Sequence, residues 1–110
     1  MKSIHYANET LLTGDDLADA LVDLAAELAQ RESSVSVEVP IQFGVDDIRN
    51  VNFLLGPASQ IVAVPAPDSG YDELIRVDVV ASLRSRISDD PSRQTVTFED
   101  PNRGFADFDL

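Results

Sequence analysis

Apolar residues recur along the chain with two different periods, and each change of period marks an element. In residues 2–7, Ile4 and Tyr6 alternate with Ser3 and His5, which predicts an opening strand with one half-buried face. The period then lengthens. Leu17, Leu21, Leu24 and Leu28 recur at steps of four, three and four, and Ala18, Val22, Ala25 and Ala29 widen the stripe, so a long amphipathic helix is expected over about 15–31. Thr13, Gly14, Asp15 and Asp16 have capping-box spacing: the Thr13 hydroxyl is placed to accept the Asp16 N–H, with two carboxylates at the positive end of the helix dipole. Glu32, Ser33 and Ser34 end the helix.

Strand periodicity returns at Val35, Val37, Val39 and Ile41, which alternate with Ser36, Glu38, Pro40 and Gln42. Pro40 has no N–H to give to a ladder and argues for an edge position or a bulge. Residues 43–47 supply a turn, and 48–55 read as the returning strand of a hairpin, with Val51, Phe53 and Leu55 on one face. Gly56 and Pro57 break it, 60–64 form a further β-rich run, and the Pro- and Gly-rich stretch 65–70 is a loop. The two periods conflict over 73–87. Ile75, Val77, Val79, Ala81 and Leu83 alternate, yet Val80, Leu83 and Ile87 follow Asp78 at helical spacing. Splitting the segment gives a strand over 73–77 and a short helix over about 79–87. A turn at 88–92 leads to a final strand at 94–98.

The element order β-α-β-β-β-β-α-β predicts an α+β domain over 1–98: an antiparallel sheet of five or six strands, the long helix packed on one face, and a short second helix. Residues 99–110 change composition and read as an acidic aromatic tail. One amphipathic helix covers only part of such a sheet, so two chains are expected to pair as a homodimer through the apolar remainder.

Composition narrows the chemistry. Of 110 residues, 20 are acidic and 8 basic, with one His and no Cys, for a formal net charge of -12. Without Cys there are no disulfides, thiolate metal sites or thiol nucleophiles. The negative charge disfavours nucleic acid and anionic membranes as partners and leaves a basic protein partner or a cation. The opening residues lack a signal-like apolar run, and no stretch has the length of a membrane span, so a cytoplasmic location is expected.

Candidate chemistry is sparse. His5 is the only imidazole, so a triad or a two-His metal site would need every other group from elsewhere, and a partly exposed strand histidine is the expected role. The loop Gly56, Pro57, Ala58, Ser59, Gln60 lacks the flanking glycines of a nucleophile elbow. It reads first as a tight turn in which Ser59 bonds its own backbone. Asp19, Asp23 and Glu27 lie one turn apart on the polar face of the long helix, suited to solvation, to a basic partner or, with ligands from a second element, to a hard cation. In the tail, Phe105, Phe108 and Leu110 alternate with acids in a pattern that can fold into a partner's groove. No cofactor motif is present in the sequence, and no catalytic residue can be assigned from it.

Leu11-Leu12-Thr13-Gly14-Asp15 leading into an Ala/Leu helix, together with His5-Tyr6-Ala7 and Leu54-Leu55-Gly56-Pro57-Ala58-Ser59-Gln60, resembles a group of small uncharacterised bacterial proteins over about the first 65 residues. The resemblance implies a compact bacterial cytoplasmic domain and carries no activity or site. The functional expectation is a non-catalytic interaction or accessory protein recognising a basic partner through Asp19, Asp23, Glu27, Phe105, Phe108 and Leu110. The alternative is a small-ligand or metal-assisted enzyme whose site joins the Gly56 to Gln60 loop with the Thr13 to Asp16 helix start.

Overall fold

The computed structural model describes residues 1–88, and the elements run β1 (Lys2–Tyr6), β2 (Glu9–Thr13), α1 (Asp15–Arg31), β3 (Val35–Gly44), β4 (Asp47–Leu55), β5 (Ile61–Pro65) and α2 (Val77–Ser88). The five strands form one antiparallel sheet in the order β4-β3-β2-β1-β5. With α1 and the shorter α2 packed together, the fold is α+β, as the alternation of periods requires.

The helix stripe meets the inner faces of the strands. Leu17, Leu21 and Leu24 are fully buried with Ile4, Val39, Ile41, Phe53 and Leu55, and Leu28, Val37, Leu74 and Leu83 complete the core. Burial of each large apolar side chain contributes roughly 1.5–3 kcal/mol, which is why the two periods, 3.6 and 2, decide the architecture.

Two departures from the expected order share a cause. Residues 9–13 form β2, unforeseen because Leu11 and Leu12 are adjacent rather than alternating and Thr13 was assigned to a helix cap. Thr13 instead ends a strand: it is fully buried, and its hydroxyl donates to the Pro40 carbonyl at 2.8 Å. Gly14 is the N-cap of α1 and makes no side-chain bond, so the capping box does not form. The Asp15 N–H donates to Glu73 Oε2 at 2.5 Å, a carboxylate 58 residues away. That contact also explains why 73–76 are not a strand. They run past the start of α1, where Leu74 O lies 1.9 Å from the point at which a Cβ on Gly14 would sit. α2 consequently begins at Val77 rather than 79, with Asp78 in its first turn.

Pro40 is buried within β3, which is not an edge strand. Its tolerance follows from the slender β2–β3 junction, where the register pairs only Leu12 with Gln42. N-terminal to that point the strand partner of β3 is β4, and a bulge falls between Gln42 and Gly44. Tyr6 of β1 meets Phe53 of β4 edge-on, with ring centroids 5.2 Å apart, although two strands lie between them in the sheet order. The expected strand at 94–98, the boundary before Glu99 and the tail with Phe105, Phe108 and Leu110 lie outside the described residues.

Candidate functional site

Register places the groups on the two ends of β1. Lys2 pairs with Thr13 and Pro65, whereas Tyr6 pairs with Glu9 and Ile61. The helix start at Thr13 to Asp16 therefore sits at one end of β1 and the Gly56 to Gln60 loop, which precedes Ile61, at the other. A five-residue strand separates them by about 13 Å. The two segments do not form a common site.

The loop end holds a groove of about 610 Å3, lined by His5, Tyr6, Ser34, Leu54, Val62 and the loop itself. Sequence dictates its floor. In β1 and β5 the alternation that buries Ile4 turns His5 and Val62 to the outer face, where they are opposite one another in register. Thr10 flanks them from β2, its hydroxyl 3.2 Å from His5 Nδ1. Leu54 and Val62 are the groove's large exposed aliphatics, at 64% and 57% of full exposure.

The Ser59 and Tyr6 hydroxyls of the groove are committed within the chain. Ser59 Oγ accepts from the Gly56 N–H at 3.0 Å and donates to the Leu54 carbonyl at 3.2 Å, while the Ser59 N–H donates to Gly56 O at 3.1 Å. This is the self-bonded turn expected of Ser59. Tyr6 donates its hydroxyl to the same Leu54 carbonyl at 2.5 Å. Gly56 is needed because Ser34 Oγ lies 2.5 Å from where its Cβ would be, so the loop presses directly on the α1–β3 connection. Among the described residues Ser59 Oγ bonds only Gly56 N–H and the Leu54 carbonyl, and His5 faces Thr10. The arrangement is a concavity in which Leu54 and Val62 are exposed beside a self-bonded turn.

In the acidic stripe Asp19 and Asp23 keep solvent contact and are ion-paired, and Glu27 departs from the expected solvated face. Asp19 accepts from Lys2 Nζ at 2.6 Å and Asp23 from Arg84 Nη1 at 2.9 Å. Glu27, expected on the solvated face, is buried, with Arg31 Nε 4.0 Å away. α2 packs against α1 and brings Arg84 to Asp23, while Lys2 of β1 reaches Asp19. Among the described residues no group of three or more His, Asp or Glu is disposed to hold a metal ion, and no helix is long and apolar enough to cross a membrane.

The opposite end of β1 is an ionic clasp. The Met1 amine donates to Glu73 Oε1 at 2.6 Å and lies 3.0 Å from Asp15 Oδ1. These hydrogen bonds, Glu73 first, hold the ammonium pKa above its ordinary value of 8.0 against a smaller opposing effect of burial. Lys2 is likewise raised, chiefly by its bond to Asp19. The clasp uses its charges to hold 73–76 against α1.

Tyr6, Ser34, Leu54 and Val62 were not singled out from sequence as site residues. The signal for Val62 and His5 was present, since both fall on the polar-side phase of their strands, but their pairing across β1 and β5 depends on register. Compared with known proteins, the chain matches no family model, no curated protein and no solved structure. The likeness drawn on Leu11 to Asp15 and Leu54 to Gln60 thus assigns no family.

Proposed function

We propose that the chain is a non-catalytic interaction domain that recognises a basic protein partner, with the groove beside the Gly56 to Gln60 loop as its principal contact. The observation that carries this reading is the exposure of Leu54 and Val62 in a concavity whose hydroxyls, on Ser59 and Tyr6, already have partners. Such a surface gains by burying an apolar side chain. The net charge of -12 steers a cationic polypeptide toward the domain and repels polyanions.

Asp19 and Asp23 contribute to this field while paired with Lys2 and Arg84, and Glu27 does so from a buried position. Phe105, Phe108 and Leu110 supply a second set of apolar anchors in the reading from sequence. The test is selection of phage-displayed random peptides on the full chain. Peptides that combine Lys or Arg with a large apolar residue should be enriched, bind more weakly as salt rises, and be lost to the Leu54→Asp variant. Enrichment without basic residues, or binding indifferent to Leu54→Asp, would refute the reading.

A further inference from the structure

Met1 is the residue on which the segment between β5 and α2 closes. Its carbonyl accepts the Ala66 N–H at 3.0 Å, its Sδ accepts the Leu74 N–H at 3.3 Å, and its amine donates to Glu73 Oε1 at 2.6 Å. The same amine lies 3.0 Å from Asp15 Oδ1, so residues 66–74 are tied at both ends to Met1 and through it to the start of α1. The Met1 side chain is 2% exposed, and the segment it holds delivers Leu74 to the core. The amine is the cation of this junction: Asp15 and Glu73 both pair with it, whereas the neighbouring Lys2 is bonded to Asp19.

We infer that the Met1 amine is a modification site, and that its acylation unlatches residues 66–74 from the start of α1. In the reaction the deprotonated amine attacks the carbonyl carbon of an acyl thioester, the N–C bond forms, the C–S bond breaks, and the sulfur leaves as a thiol carrying a proton from the nitrogen. The product is a neutral amide. An ammonium with three donors becomes a group with a single N–H, so one neutral hydrogen bond at most replaces the charge-assisted contacts, and the Asp15 and Glu73 carboxylates stay side by side without their cation. The acyl carbon also needs room at a nitrogen that Glu73 approaches to 2.6 Å. In the closed chain the two carboxylates hold the proton on the nitrogen, which makes it a poor nucleophile. Acylation therefore takes place on the open segment and then opposes its closure.

The groove plays no part in this inference, and peptide selection can fail without touching it. Lys2 is the only Lys of the chain, so in the Lys2→Arg variant, which keeps a cation opposite Asp19, the Met1 amine is the single primary amine. This full-length variant, acetylated in urea with N-hydroxysuccinimidyl acetate and refolded, should have a lower urea midpoint than its unmodified form. Its Leu74 and Asp15 N–H groups should exchange with deuterium about tenfold faster, a larger gain than at any amide of the β3–β4 hairpin. Adding Glu73→Gln should lower the midpoint of the unmodified chain more than that of the acetylated one. Without urea, the folded Lys2→Arg chain should be acetylated about tenfold more slowly than the same chain carrying Glu73→Gln, a comparison that stands even where the acetylated product fails to refold. An acetylated chain with an unaltered midpoint and unaltered Leu74 exchange overturns the inference. So do equal acetylation rates with and without the Glu73 carboxylate.

Discussion

The two ends of β1 are built from opposite materials. At the Lys2 end, charges are drawn inward: the Met1 amine, Asp15 and Glu73 meet within 3.0 Å, and Gly14 admits Leu74 O against the backbone of α1. At the Tyr6 end, polar groups bond one another and aliphatic side chains are left facing water. Long-range contacts fix both; at the Tyr6 end the exposed apolar area of Leu54 and Val62 lines a concavity, whereas at the Lys2 end Ile75 is exposed beside the clasp. The contrast separates residues that hold the fold from residues that are free to meet another molecule.

The contrast predicts a descending series of stability losses. Phe53→Ala removes the ring that backs Tyr6 and should cost about 3–5 kcal/mol, enough to unfold much of the protein at 37 °C in a thermal melt. Gly14→Ala at the clasp comes next. Its Cβ would stand 1.9 Å from Leu74 O, so the chain must shift, at a cost of roughly 1–3 kcal/mol in urea denaturation. A mutant melting like wild type would show that 73–76 are not held against α1.

Glu73→Gln should cost less, about 1 kcal/mol, by weakening the acceptor that caps Asp15 N–H and binds the Met1 amine. The same clasp gives a pH signature. The Met1 ammonium is raised above 8.0 in the folded state, so its stabilisation is complete below pH 8 and is lost as pH climbs through the folded value. Denaturation midpoints measured from pH 7 upward should fall through this window in wild type and fall less in Glu73→Gln. Equal slopes would remove the amine from the clasp. The smallest change in stability, within about 0.5 kcal/mol, is expected for Leu54→Asp, because its side chain already faces solvent. A large loss there would make the groove part of the core and erase the distinction between the two ends.

Legibility in the sequence followed the range of the interaction. α1 was readable to within a residue because Leu17, Leu21, Leu24 and Leu28 repeat on one helical face, and the β3–β4 hairpin because Val35 to Ile41 and Val51 to Leu55 alternate around a polar turn. The self-bonded Ser59 turn was readable for the same reason: its partners, Gly56 and Leu54, are three and five residues away. β2 was not, since Thr13 has the composition of a cap and only the distant Pro40 carbonyl makes it the end of a strand. Glu27 shows the same limit, for its position on α1 is plain while its burial is a tertiary outcome.

Periodicity alone determined that this chain makes a long helix on an antiparallel sheet, because burying one face of each element is a local property of side-chain spacing. Which strand neighbours which, which carboxylates are neutralised and where the apolar groove opens were decided by tertiary structure. Those outcomes depend on pairings between residues up to 73 positions apart, such as Leu74 with Met1, and no local pattern encodes a partner at that distance.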